Sequence, residues 1–467
     1  MKAETDTALT HSPNYVDCDA NRVQESDLLA WPRSSLKRHG ILLGGSGFPV
    51  DEQGFSETEM EIPFFKVKDL AGPLEIRATN NYISKETAAR LGATIFPNST
   101  LVFAKVGAAL LLNRFRVLCC EGCLDNNMMA LLLKKPNHVA FFLHLLNNSD
   151  LASNFNQGPV PSVNTRQVGA LAVTVPPPSE QTRIAAYLDA SCAAIDGAIA
   201  AKQRQLETLD AVRDSIVTLA VTNGLNPKAK MKVSGVDWLS EVPAHWKMQQ
   251  IKRVCCLVRG QFTHRPRNDP ALYDGPYPFV QTGDITAAGK YIRTYSQTLN
   301  EIGLSVSKRF PRGTLVMSIA ANIGDVAILD FEACFPDSMI GMIPSCKINL
   351  DFLYYLMRAM RGIMLRSAVQ STQLNLNYVR IGTNFAPIPP LDEQVAIAAY
   401  LDEKERDLFL ISKGIKSQIA TLTAYRKSLI HECVTGQRRI SEADVQQLKI
   451  TVDKGESPVG KYRHVST

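Results

Sequence analysis

The stretch Pro176-Pro177-Pro178-Ser179-Glu180-Gln181-Thr182-Arg183-Ile184-Ala185-Ala186-Tyr187-Leu188-Asp189 returns as Pro389-Pro390-Leu391-Asp392-Glu393-Gln394-Val395-Ala396-Ile397-Ala398-Ala399-Tyr400-Leu401-Asp402, with 10 of 14 positions identical at a separation of 213 residues. Chance does not give such a match, and the period far exceeds the roughly 20–50 residues of solenoid repeats. The chain is a duplication of a large unit. The register continues on both sides, with Asn164 and Gly169 matching Asn377 and Gly382, and Val221-Thr222 matching Val434-Thr435. Upstream it loosens by a residue or two, as loops allow. Trp31 with Leu36-Lys37-Arg38 echoes Trp246 with Ile251-Lys252-Arg253, and Pro63-Phe64 with Asp69-Leu70 echoes Pro278-Phe279 with Asp284-Ile285. Phe96-Pro97 with Thr100-Leu101-Val102 likewise echoes Phe310-Pro311 with Thr314-Leu315-Val316. The order is that of two related globular units, each followed by a segment of another kind.

That other segment reads as a long helix. Prolines stand just outside each start, Ser179 or Asp392 is placed as an N-cap, and Glu and Gln follow in the first turn. Neither segment holds a proline from there to about Thr222 and about Thr435. Leu401, Leu408, Ile415, Leu422 and Leu429 recur every seven residues, and Leu188, Ile195, Leu209 and Ile216 keep the same spacing, broken by Lys202. The spacing predicts a helix–helix seam; a core helix with a fortuitous seam is the plainer alternative. About 44 residues at 1.5 Å each make a rod of roughly 65 Å. The chain order suits an antiparallel pair, giving a pseudo-two-fold molecule with one globular unit at each end.

The globular units read as mixed α/β. Thr100–Val106, Thr314–Ile319, Leu171–Val175 and Ala386–Ile388 look like strands, and Asn137–Asn147 and Asp351–Met364 have helical spacing. Gly44-Gly45-Ser46-Gly47, Asp269–Gly275 and Gly283–Gly289 read as loops. The expected divisions are an N-terminal extension at 1–25, globular domain 1 at 26–175, the first long helix at 176–225, globular domain 2 at 226–388, the second long helix at 389–437, and a mobile C-terminal tail at 438–467.

Composition agrees with this scheme. With 45% apolar and 21% charged residues in 467, the chain has enough to fill two or three cores. No apolar run reaches the ~18 residues that span a bilayer. The start lacks a basic-then-apolar leader, so the ten cysteines are expected as reduced cytoplasmic thiols. The net charge of +6 is unevenly spread. Glu241 to Arg312 holds 11 Lys and Arg against 5 Asp and Glu, while the first thirty residues lean acidic. A basic segment in a near-neutral chain fits a polyanion-facing surface, or an ordinary solvated one.

Two variable domains, each followed by a Pro-Pro-x-x-Glu-Gln segment opening a long helix, resemble the specificity subunits of type I restriction–modification systems. The resemblance spans about Trp31 to Gln437. It implies that the globular units are target recognition domains, each reading half of a split double-stranded DNA site. It also implies that the helices fix the spacing and carry two modification subunits, which restriction subunits join. S-adenosylmethionine and ATP would then act on partner subunits, with no cofactor or metal here and no membrane partner. The first copy departs from the family pattern, with Gln157-Gly158-Pro159-Val160-Pro161 opposite Gln370-Ser371-Thr372-Gln373-Leu374.

The sequence shows no catalytic motif. It has no Asn-Pro-Pro-aromatic or Asp-Pro-Pro-aromatic tetrapeptide. Gly283 to Lys290 misses the phosphate-loop spacing, and Cys120-Glu121-Gly122-Cys123 stands without a second pair. Pro336-Asp337 has no acidic-x-Lys partner, and Asp337 is better explained as the repeat partner of Asp125. The chain is expected to be a non-enzyme. Side chains able to grip bases or phosphates cluster at Arg259, Gln261, His264, Arg265, Arg267 and Asn268. Lys290 and Arg293 form a second group, and Lys105, Asn113, Arg114 and Arg116 a weaker set in the first domain. For each residue the plainer reading is a solvated loop charge. The competing function is a coiled-coil scaffold, or decoy specificity subunit, that binds modification subunits without reading DNA.

Overall fold

The computed structural model describes residues 31–135, 138–149, 151, 159–320, 322–367, 369–370, 374–375 and 378–453. The extension at 1–25, Asn377, Gln157-Gly158 and Ser371–Gln373 lie outside the described residues. The chain divides into two units. Unit 2 is Gln203–Ser417, and unit 1 joins the chain up to Lys202 with the chain from Gln418 onward.

In unit 1 a five-stranded sheet is built from β1 (Gly40–Gly44), β2 (Glu75–Ile76), β3 (Leu101–Ala104), β4 (Phe115–Leu118) and β5 (Met128–Leu133), in the order β1-β5-β3-β4-β2. All neighbours are antiparallel except β2 and β4, which run parallel. Unit 2 repeats it with β6 (Cys255–Arg259), β7 (Tyr291–Ile292), β8 (Leu315–Ser318), β9 (Val326–Leu329) and β10 (Met339–Pro344), in the order β6-β10-β8-β9-β7, again with only the last pair parallel. The inner strands β3, β5, β8, β9 and β10 are almost wholly apolar because both faces are covered, while the edge strands carry exposed residues such as Ile41, Glu75 and Arg259. Leu101, Phe103, Met129 and Leu131 enter the core shared with the long helices, while Val102, Ala104, Met128 and Ala130 enter a second core on the opposite face. Leu315, Met317, Ile340 and Met342 in unit 2 likewise face the helices, and Val316, Ala327 and Met339 face away. That two-residue alternation is the geometry of a strand.

Beyond the second core lies a smaller sheet. It is made of Ile62–Phe65, Tyr82–Ile83 and Cys123–Leu124 in unit 1, and of Tyr273–Phe279, Gln297–Leu299, Arg309–Phe310 and Ala333–Cys334 in unit 2. Gly283–Gly289, read from sequence as a loop, lies largely in a helix, Thr282–Ala287. Asp284 accepts the Gln281 backbone N–H at 2.7 Å and Ile285 is buried, which together outweigh Gly283.

The long helices are α1 (Pro178–Asn223) and α2 (Leu391–Thr435). Ser179 and Asp392 fall inside the first turn rather than capping it. Pro178 takes the first helical position, where its missing N–H costs nothing. Inside unit 1 the start of α1 packs on the end of α2: Asp196 meets Arg426 at 2.9 Å, and Leu188 and Ile195 share a core with Leu429 and Cys433. Inside unit 2 the end of α1 packs on the start of α2, where Arg213 meets Glu405 at 3.2 Å. Each unit therefore contains an antiparallel helix pair. Leu188, Ile195, Leu401, Leu408 and Leu429 are buried, and Leu209, Ile216, Ile415 and Leu422 half-buried, as a seven-residue seam requires. One window of α1 has a mean hydropathy of 1.4, enough by composition for a membrane span. Its Ile184, Leu188, Cys192 and Ile195 are buried among protein side chains.

The Glu-Gln signature has a structural reason in both copies. Glu180 accepts the indole N–H of Trp31 at 3.0 Å, and Glu393 accepts that of Trp246 at 2.9 Å. Gln181 and Gln394 donate to the carbonyls of Pro176 and Pro389 at 2.7 and 2.9 Å. The same tryptophans cover the opposite helix ends. Gly436, at φ +83°, lies against Trp31, and Gly224, at φ +74°, against Trp246, where an added Cβ would sit 3.2 and 3.0 Å from the ring. Only glycine combines the left-handed turn that ends the helix with that approach. Of the C-terminal segment expected to be a mobile tail, 438–453 instead carries α3 (Glu442–Asp453), with Ile440 and Leu448 in the unit 1 core and Arg439 on Glu180 at 2.7 Å, and 454–467 lies outside the described residues.

Candidate nucleic-acid interface

In unit 2, β6 runs to Arg259 and then turns at Gly260, where an added Cβ would lie 2.2 Å from the Pro336 carbonyl. This close approach sets the following loop against Asp337. Arg259 Nε donates to the Asp337 carbonyl at 2.8 Å, Arg267 Nη2 meets the Asp337 carboxylate at 2.5 Å, and Arg265 Nη2 lies 3.8 Å from it. Arg265 also donates to the carbonyls of Phe262 and His264, and His264 Nε2 is 3.1 Å from Asp269. Gln261 and Asn268 are exposed. Five residues of the expected cluster, with Asn268 beside them, therefore share one loop edge. Three guanidinium groups stand there against two aspartates, Asp337 and Asp269, so the edge keeps a net positive charge suited to phosphate or guanine.

The other candidates fall in different settings. Lys290 is enclosed: its ammonium meets Asp351 at 2.8 Å and Asp402 at 2.6 Å, beside the rings of Tyr291, Tyr354 and Tyr355. Tyr355 Oη also donates to Asp402 at 2.6 Å. Lys290 thus ties domain 2 to the repeated aspartate of α2, and its charge is committed internally. Arg293 is 73% exposed, lies over Tyr291 and is 3.4 Å from Asp330.

In unit 1, Asn113 adopts φ +47° and donates to the carbonyls of Leu146, Asn147 and Ser149, closing the end of the helix Val139–Asn147. Arg116 is buried and donates to the carbonyls of Gly72 and Phe115. Burial first, then the neighbouring Arg114, lowers its pKa from the usual arginine value. Arg114 itself is half-buried. Lys105 is half-buried and its ammonium lies beside Gly44, the counterpart of Arg259 at the end of β1. Asn113 and Arg116 therefore serve the fold, whereas Lys105 and the Arg259–Asn268 loop border corresponding edges.

Residues that the sequence pattern did not single out stand beside this edge. A cavity of about 630 Å³ in unit 2 is lined by Phe262, Tyr273 and Phe279, with Arg267, Gln281 and Gln297 among its polar residues. Gln281 Nε2 donates to Gln297 Oε1 at 2.8 Å. In unit 1 Phe48 stacks on Phe64 with centroids 3.8 Å apart, and Lys66 donates to Gln53 Oε1 at 2.7 Å. The available signal was the repeat itself, since Lys66 and Gln281 each precede a matched aspartate by three residues. A larger cavity in unit 2, about 1020 Å³, is walled by Arg213, Arg358, Glu405, Arg361, Asp325, Lys290 and Asp402, which pair with one another.

A mixed α/β domain present twice, each copy docked by a Trp–Glu bond on its own antiparallel helix pair, defines a duplicated recognition class. The type I restriction modification DNA specificity domain matches residues 55–208 and again 243–421, and the chain belongs to that family. It is 26% identical over 336 residues to the putative type I restriction enzyme MjaX specificity subunit of Methanocaldococcus jannaschii, covering 67% of this chain and 72% of that one. To the type I restriction enzyme EcoBI specificity subunit of Escherichia coli it is 20% identical over 423 residues, covering 87% and 86%. Among solved structures, one from a study of complex assembly and conformational transition in the type I R-M system superposes with a TM-score of 0.67 at 16% identity, covering 87% of this chain and 98% of that one. The HsdS subunit from Thermoanaerobacter tengcongensis gives 0.50, also at 16% identity, covering 88% and 97%. These likenesses concern the fold.

Proposed function

We propose that this chain is the sequence-specific DNA-recognition subunit of a type I restriction–modification complex, each domain reading half of a split target. The observation that carries the reading is the family match falling separately on each half of a structurally duplicated chain. The basic loop edge around Asp337 supports duplex binding by domain 2. Methyl transfer and ATP-driven cleavage belong to partners that bring S-adenosylmethionine and ATP, and the chain itself catalyses nothing. Two modification subunits dock on the long helices, and restriction subunits join the same cytoplasmic assembly. Exposed apolar side chains support that docking: Phe409 and Leu410 on α2 are 61% and 60% exposed, and Leu219 on α1 is 57% exposed.

The test mixes the full chain with its modification subunits and compares a target duplex with random duplex in a competition gel shift. The pure chain should neither methylate nor cleave. The complex should prefer its target by at least about 10³-fold. Equal binding to all duplexes would favour a scaffold and defeat the reading.

A further inference from the structure

Lys66 and Gln281 occupy the same place in the two domains. Each follows the central strand of the smaller sheet, Ile62–Phe65 or Tyr273–Phe279, and each precedes a short helical turn. Each has its backbone N–H held at 2.7 Å by the aspartate three residues on, Asp69 or Asp284. Each leans toward an aromatic residue of the loop that follows the first strand of the large sheet. Lys66 lies 5.7 Å from the centroid of Phe48, and Gln281 lines the cavity with Phe262. Phe48 and Phe262 in turn pack on Phe64 and Phe279, which the repeat matches to one another. Each side chain is also held by a glutamine amide from elsewhere in its domain, Gln53 for Lys66 and Gln297 for Gln281. The frame is duplicated and the group displayed in it has changed.

Resting on the DNA-reading function, we propose that this position determines specificity in both domains, with Gln281 and Gln297 reading an adenine and Lys66 reading a guanine. With Gln281 Nε2 given to Gln297 Oε1, Gln281 Oε1 and Gln297 Nε2 have no partner among the described residues, which leaves the pair an unused acceptor oxygen and an unused donor nitrogen. Flipping both amides exchanges the two but preserves one of each. Adenine offers the complement in the major groove, an N6 donor beside the N7 acceptor. Lys66 spends one N–H on Gln53 and keeps two donors, and no carboxylate of the described residues forms an ion pair with it. Two donors suit guanine, whose O6 and N7 are both acceptors. Each backbone is pinned by its aspartate and each side chain by a glutamine, so the displayed atoms are pre-positioned.

The test uses the full chain assembled with its modification subunits and measures base preference at every target position with a randomised duplex library. The variants are Gln281→Ala, Gln297→Ala, and Lys66→Gln. In the wild-type complex one half-site should contain a required adenine and the other a required guanine. Gln281→Ala and Gln297→Ala should each reduce discrimination at that one adenine by roughly 10- to 100-fold and leave the other half-site intact. Lys66→Gln should move the preference at the guanine toward adenine. Gln297 is exposed, so its variant tests the idea even if Gln281→Ala misfolds. Unchanged preferences in folded variants would overturn the assignment, as would a uniform loss of affinity for all sequences. A wild-type complex with no sequence preference would instead overturn the DNA-reading function on which the assignment rests.

Discussion

Units 1 and 2 share a frame and differ at its lip. In both, a tryptophan joins the glutamate at one helix start to the glycine past the other helix end. In both, the turn after the first strand of the large sheet needs a glycine. An added Cβ would lie 2.0 Å from the Asp125 carbonyl at Gly45 and 2.2 Å from the Pro336 carbonyl at Gly260. The lip beyond that turn has diverged. Unit 1 carries Ser46-Gly47-Phe48 with Lys105 nearby, and unit 2 carries the arginine loop around Asp337. The lesson is a division of labour within one domain. Buried contacts shared by the copies position the lip, and the lip is left free to differ.

The largest expected effect breaks the frame. Trp246 is fully buried, so Trp246→Ala should cost about 3–5 kcal/mol in unfolding free energy. Trp31→Ala should behave alike in calorimetry, and a large effect in one unit only would show that the frames are not equivalent. Next, Lys290→Ala strips Asp351 and Asp402 of their cation and should destabilise by about 1–3 kcal/mol. The exposed Arg293→Ala should leave the melting point within error, and equal losses in both variants would remove the distinction between tie and lip. A smaller change is expected at the lip. Arg265→Ala and Arg267→Ala should leave folding intact and each lower the salt dependence of DNA binding by roughly one unit of log–log slope. An unaltered slope would take both side chains off the phosphates. Smallest is a labelling contrast. Burial pushes the thiols of Cys255 in unit 2 and Cys433 in unit 1 up to about 12, while Cys256 and Cys346 are exposed. Among the cysteines of the described residues, maleimide at pH 8 should modify Cys256 and Cys346 first, and early modification of Cys433 would mean that the unit 1 helix seam opens more readily than the unit 2 core.

Much of the frame was legible because burial leaves a periodic trace. The seven-residue leucine spacing, the strand runs at Thr100–Val106 and Thr314–Ile319, and the paired tryptophans all reappear in the fold. The Gly283–Gly289 stretch was misread because a capping aspartate and one buried isoleucine outweighed glycine content. The segment after Arg438 looked uninformative because its apolar anchors among the described residues are Ile440, Val445 and Leu448, too few to form a pattern. Lip residues were the hardest to judge. A lysine's charge is visible in sequence, but whether it faces solvent or two aspartates is not, and Lys290 had the second fate. The Gln281–Gln297 pair joins residues on different elements through a single hydrogen bond between side-chain amides, which composition and spacing do not report.

The division of the chain also sets an order of folding. Unit 2 occupies one unbroken run, Gln203–Ser417, whereas unit 1 combines two runs lying on either side of it. A ribosome adding roughly 5–20 residues per second delivers all of unit 2 before unit 1 is whole. Leu429, Cys433, Ile440 and Leu448, which close the first core, emerge only after the whole of unit 2. Closing that core across so long an intervening segment also carries the larger loop entropy. The domain translated first is therefore the last to be finished, and a message truncated just after Ser417 would lose the first domain's core rather than the second's.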